Sequence, residues 1–131
     1  MSKTLDFTLL ISYCLFIYWL SDQSSLDKPF DFGFDTQDKL YHAGAYSIMG
    51  LLAWRSFRHL VSSPIILALL SIAFCSLYGF SDEWHQSFVA GRESDITDWA
   101  ADTSGSVLAI LSLYKLQKVL VIQGERQKAN G

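Results

Sequence analysis

From Pro64 to Phe80 the chain runs for 17 residues without a charged side chain. A helix of a water-soluble bundle carries polar residues along its whole outer face at helical period. Leu67 to Phe80 offers only Ser71 and Ser76 for that purpose, and Phe7 to Leu20 offers only Thr8 and Ser12. These stretches are apolar all round, as lipid-facing helices are. Neither reaches the roughly 18 apolar residues that would fix a membrane span on length alone, so composition and charge placement must decide.

Half of the 131 residues are apolar and 18% are charged, against about 25% charged in ordinary soluble domains. That balance favours lipid over water. A net charge of −3 and the lack of a basic stripe exclude a nucleic-acid binder, which must neutralise phosphates. Cys14 and Cys75 lie inside apolar runs with no C-x-x-C spacing and read as small apolar filler. The run Phe7 to Leu20 ends in Ser21-Asp22-Gln23-Ser24-Ser25 without an A-x-A-like cleavage site, so it is expected to be an uncleaved span.

Four apolar stretches predict an all-α integral membrane bundle of four transmembrane helices. The spans are expected at about 5–20, 39–57, 64–82 and 98–116, within one domain over 1–122, followed by a fraying polar tail at 123–131. Pro64 suits the first turn of the third helix. Ser21 to Gln37 reads as an irregular acidic loop with Pro29 and Gly33 as breakers.

With a cytoplasmic N-terminus, Lys3, Arg55, Arg58, Lys115, Lys118, Arg126 and Lys128 fall inside, and Lys28, Lys39 and Arg92 outside. The positive-inside rule therefore predicts both termini in the cytoplasm.

That topology brings three polar helix ends to one face. Asp38, His42 and Tyr46 are spaced i, i+4, i+8 and share a stripe, flanked by Lys39. Tyr78, Asp82, Glu83 and Gln86 share another if the third helix continues past Gly79, with His85 pointing elsewhere. Asp95, Asp98, Asp102 and Gly105 follow i, i+3, i+7, i+10 on the fourth. Ionisable groups in a span cost about 2.5–3.5 kcal/mol each at its centre unless they pair or meet a wet cavity.

Some of these residues have a structural explanation. Asp38 or Asp95 can cap or complement a helix start, and Lys39 and Arg92 can pair with neighbouring acids. Tyr46, Tyr78, Trp84 and Trp99 suit an aromatic belt, and Gly105 suits a close helix approach. His42, Glu83, Asp98 and Asp102 sit toward the membrane side and need partners. A His beside several carboxylates can shuttle protons or ligate a metal. No H-x-x-x-H or H-x-x-E motif accompanies them, so metal binding is left open and no cofactor is assigned. A G-x-S-x-G elbow and a phosphate-binding glycine loop are both lacking.

In order and spacing, Asp38-Lys39-x-x-His42-x-x-x-Tyr46, then Glu83-x-x-Gln86, then Gly91-Arg92-x-x-Asp95-x-x-Asp98 and Gly105 resemble the VanZ-like family over about residues 38–110. The resemblance implies a bundle of four or five spans in the bacterial cytoplasmic membrane and no settled biochemical activity. The founding member's association is with low-level teicoplanin resistance. The family pattern singles out Asp38, Lys39, His42, Glu83, Gln86, Arg92, Asp98 and Gly105. Position 102 departs from it, since Asp102 stands where the family typically has Asn. The added carboxylate favours a bound cation or a raised carboxyl pKa and weakens transfer of any one member's role.

The leading expectation is a protein that binds or processes a lipid headgroup or a cell-envelope precursor at the outer membrane face. His42, Glu83 and Asp98 are its candidate acid/base residues, and Asp38, Lys39, Tyr46, Gln86, Arg92, Asp95 and Asp102 its binding residues. The alternative is a non-enzymatic structural or regulatory subunit whose cluster only locks helix ends. Proton or cation transport is a third possibility, without the broken-helix pairs of transporters.

Overall fold

The apolar stretches become helices whose starts are written locally. In the computed structural model, which describes residues 2–24 and 36–129, α1 spans Lys3–Ser21, and its cap Ser2 accepts the Leu5 amide through Oγ at 3.3 Å. The second helix, α2, spans Gln37–Phe57. Ser63 and Pro64 start α3, Pro64–Gln86, satisfying an amide and fixing φ in the first turn. Ile96–Ala129 forms α4. The breaker-rich part of the acidic loop, with Pro29 and Gly33, lies outside the described residues.

Two of the expected boundaries move. The third helix continues four residues past the expected end of its span, to Gln86, because Asp82, Glu83 and Gln86 turn inward and are buried. The fourth extends through most of the expected tail to Ala129, with Arg126 and Lys128 in its last turn. Cations there complement the partial negative charge of the helix end. At 34 residues and 1.5 Å per residue, α4 is about 51 Å long.

Among the described residues, three helices are long and apolar enough to cross a bilayer, namely α1, α3 and α4. The expectation of four such spans is not met by α2. The reason is its position: α2 packs against α1, α3 and α4, so its Lys39, His42 and Ser47 meet a neighbouring helix. α2 keeps one apolar outer stripe, with Leu40 53%, Ile48 48% and Leu51 39% exposed, while its other faces carry these polar contacts. The other three are apolar over more of their surface, as on α3, where Leu69 and Leu77 are 63% and 70% exposed.

The core has two parts. Leu10, Ile17, Tyr46, Met49, Ala53 and Cys75 join α1, α2 and α3, while Trp54, Leu67, Ala68 and Ile110 join α2, α3 and α4. Cys75 is buried and Cys14 half-buried, both as free thiols, in keeping with their reading as filler. The α2–α4 seam is built on small residues: Ala43 and Gly50 face Gly105 and Ser106. Ser47 Oγ lies 2.7 Å from the Ala43 carbonyl and 2.9 Å from that of Gly105, so one hydroxyl serves both helices.

At the end of the bundle formed by the start of α1 and the end of α2 lies an ion cluster that spacing alone did not indicate. The Asp6 side chain is fully buried. Its carboxylate accepts from Arg55 Nη2 at 3.0 Å and lies 2.8 Å from His59 Nε2 and 3.6 Å from Arg58 Nη2. Ser56 Oγ donates to the Asp6 carbonyl at 3.0 Å. Arg55, Arg58 and His59 therefore also tie α2 to α1.

Candidate functional site

At the other end, the start of α2, the end of α3 and the start of α4 converge as their spacing predicts. Asp95 occupies the cap position of α4, where its Oδ1 accepts the Thr97 amide at 2.8 Å and its carbonyl those of Asp98 and Trp99. Asp38 lies inside the first turn of α2 instead, with Thr36 at the cap. Of the two acids expected at helix starts, only Asp95 is a cap.

Lys39 reaches across from α2 to α4. Its Nζ is 2.6 Å from Asp98 Oδ1, 3.0 Å from Asp95 Oδ2 and 3.7 Å from Asp38 Oδ2. The Thr97 amide and hydroxyl together with the Lys39 ammonium lower the Asp95 pKa from the usual 3.8 to about 2. A carboxylate with a depressed native pKa adds stability that is complete above its unfolded pKa and is lost as pH falls through the native one. Detergent unfolding of Asp95→Asn against the parent is expected to show a deficit at pH 6 that shrinks on acidification from pH 4 to pH 2. A deficit constant over that range would refute the electrostatic origin.

Deeper in the bundle, His42 Nδ1 lies 2.9 Å from Asp102 Oδ1, and His42 Nε2 lies 3.7 Å from Asp98 Oδ2. Asp102 is fully buried, and its second oxygen, Oδ2, has no hydrogen-bond partner. Glu83 is 4% exposed. Its Oε2 accepts the Asp95 amide at 2.9 Å, while Oε1 is buried without a partner. One ligand-type atom each from His42, Glu83 and Asp98 lies within 4.8 Å of the other two.

Beside this group is a cavity of about 130 Å³ lined by Tyr41, His42, Tyr46, Asp82, Gln86 and Arg92, with Ile17, Leu20, Ser21 and Ala45 as its α1 and α2 walls. Asp82 contributes Oδ2, 3.5 Å from both Tyr46 Oη and Gln86 Nε2. Arg92 reaches the cavity from the loop between α3 and α4, where Gly91 holds φ at +82°, a conformation that favours glycine. Its Nε is buried with no hydrogen-bond partner.

All ten predicted site residues, Asp38, Lys39, His42, Tyr46, Glu83, Gln86, Arg92, Asp95, Asp98 and Asp102, lie at this one end. The aromatic-belt expectation fits only Trp84, which is 65% exposed. Tyr46 is 1% exposed in the core, Tyr78 Oη donates to the Cys14 carbonyl at 2.5 Å, and Trp99 Nε1 donates to the Ser76 carbonyl at 3.0 Å. His85 points away from the group, to Asp22 at 3.4 Å. Asp82 was visible as part of the α3 stripe, but its contacts with Tyr46 and Gln86 required the packing of α2 on α3. Tyr41, one residue before His42, carried no periodic signal toward the site.

The VanZ/LLP1 family model matches residues 7–118. No curated protein and no solved structure matches the chain.

Proposed function

The chain belongs to the VanZ/LLP1 family, and on that premise we propose that this membrane protein binds, and processes, the phosphate-bearing headgroup of a lipid or cell-envelope precursor at the outer face of the bacterial cytoplasmic membrane. The supporting observation is Arg92. Lys39, the other cation of the site, is surrounded by Asp38, Asp95 and Asp98, whereas Arg92 meets the cavity with a buried Nε that has no hydrogen-bond partner. A guanidinium makes planar, bidentate contacts to phosphate oxygens. His42, beside Asp98 and Glu83, supplies acid/base capacity next to that position. The charge split supports the outer face, since a cytoplasmic N-terminus puts seven Lys and Arg on the inner side and three on the outer.

Native mass spectrometry of the purified chain is expected to show a retained anionic lipid that Arg92→Ala loses at an unchanged melting temperature. His42→Ala is expected to remain folded and inserted but to lose turnover of that lipid. Equal lipid retention by the parent and Arg92→Ala would overturn the headgroup reading.

A second reading has its own support: Lys39 binds α2 to Asp95 and Asp98 of the α4 start, and Glu83 binds α3 to the Asp95 amide. On that reading the cluster is a lock in a structural or regulatory subunit. Glu83→Ala and Asp98→Ala would then lose thermal stability, because removing one partner strands another buried charge, while Arg92→Ala would change nothing.

A further inference from the structure

We propose that His42, Glu83 and Asp98 form a three-ligand site for a divalent transition-metal cation of the Zn²⁺ or Mn²⁺ class. Each of the three side chains has one atom held by a neighbour and another free to face the common centre. His42 Nδ1 is held by Asp102 Oδ1 at 2.9 Å, which turns Nε2 toward Asp98 Oδ2. Asp98 Oδ1 is held by Lys39 Nζ at 2.6 Å. Glu83 Oε2 is held by the Asp95 amide at 2.9 Å, and Oε1, in a side chain that is 96% buried, has no partner.

The spacing fits an ion better than direct contacts. Two ligand atoms about 2.1 Å from a tetrahedral Zn²⁺ stand about 3.4 Å apart. His42 Nε2 and Asp98 Oδ2 are 3.7 Å apart, too far for a hydrogen bond and close to the separation an ion imposes. One ligand-type atom of each of the three side chains lies within 4.8 Å of the other two. One imidazole and two carboxylates give a donor set used by Zn²⁺ and Mn²⁺, with room for a water or substrate oxygen in the open position.

Charge adds a separate argument. Among the described residues, four buried acids, Asp82, Glu83, Asp98 and Asp102, share this end with two fixed cations, Lys39 and Arg92, and Lys39 is also shared with Asp38 and Asp95. Such an excess in a poorly hydrated place must be balanced by bound protons or by a bound cation. Asp102 then acts as a positioning residue, a carboxylate that orients a ligand imidazole from behind.

The site rests on the proposed function only for its purpose: when bound, the ion would polarise a phosphate oxygen beside Arg92. Binding itself is testable without lipid. The full-length protein in detergent is stripped with chelator, then titrated with Zn²⁺ and separately with Mn²⁺ by calorimetry, with metal content measured after desalting. One ion per chain is expected, with a rise in melting temperature on loading.

Glu83→Gln and His42→Ala are expected to lose stoichiometric binding, and Asp102→Asn to bind about 10–100-fold more weakly. Helicity by circular dichroism verifies that each variant is folded. If His42→Ala does not fold, Glu83→Gln, which keeps the side-chain volume, decides. Absence of binding by the folded parent overturns the site. Binding that persists unchanged in Glu83→Gln marks an adventitious ion only and also overturns it. The two readouts fail separately: a parent that retains lipid through Arg92 but binds no metal overturns the metal site alone, and a parent that binds metal but retains no lipid overturns the headgroup reading alone.

Discussion

Replacing Gly105 with leucine is expected to separate α2 from α4 and abolish the folded bundle. A Cβ at Gly105 would overlap the backbone of Ala43, including its carbonyl oxygen. A flexible side chain could swing aside, but backbone on a packed helix cannot. Overpacking of a core costs about 1–3 kcal/mol when neighbours can relax, and here the only relaxation is to move one helix bodily. That movement would also break the shared Ser47 hydroxyl contact to the Ala43 and Gly105 carbonyls. Gly44, one residue from the clash, is the control: nothing lies within 4 Å of its virtual Cβ. Gly44→Ala should stabilise α2 by about 1 kcal/mol through helix propensity. Melting curves in detergent test both, and a Gly105→Leu protein that melts with the parent would show that the two helices do not meet there.

The second large effect is expected at the opposite end, where the outcome depends on which partner is removed. Asp6→Ala leaves Arg55 and Arg58 at the rim, with side chains 39% and 47% exposed, and water can solvate them. The double substitution Arg55→Leu with His59→Leu leaves a fully buried carboxylate with Arg58 at 3.6 Å as its remaining cation. An anion stranded in a dry place costs far more than a cation returned to water. The double variant is therefore expected to fall well below Asp6→Ala in melting temperature, and to recover when Asp6→Ala is added to it. Equal melting of the acid-side and base-side variants would mean the Asp6 carboxylate is hydrated.

Much of the fold was legible because its signals are local. Ser63-Pro64 announced α3, and the i, i+4 and i, i+3 spacings of Asp38, His42, Asp98 and Asp102 placed them on stripes that do converge. Gly105 was legible as a close approach, though only the structure supplies Ala43 as its partner. The features that escaped depend on pairs distant in sequence. Asp6 and Arg55 are 49 residues apart, and nothing in either segment points to the other. Lys39 was legible as a partner for neighbouring acids, but its 2.6 Å contact with Asp98, 59 residues downstream, required the packing of α2 on α4. The polarity of α2 was visible as residues but not as position, since periodicity alone does not tell which faces of a helix meet its neighbours and which one faces outward.

The position of α2 against three other helices bears on how the protein is made. A translocon sorts segments one after another by their apolarity, and α2 is the segment least suited to leave for lipid alone. Its Lys39, His42 and Tyr46 find partners in α3 and at the start of α4, which are synthesised later. Membrane entry of α2 is then a collective event that waits on the helices following it, so a nascent chain halted before α3 would hold α2 at the insertion machinery.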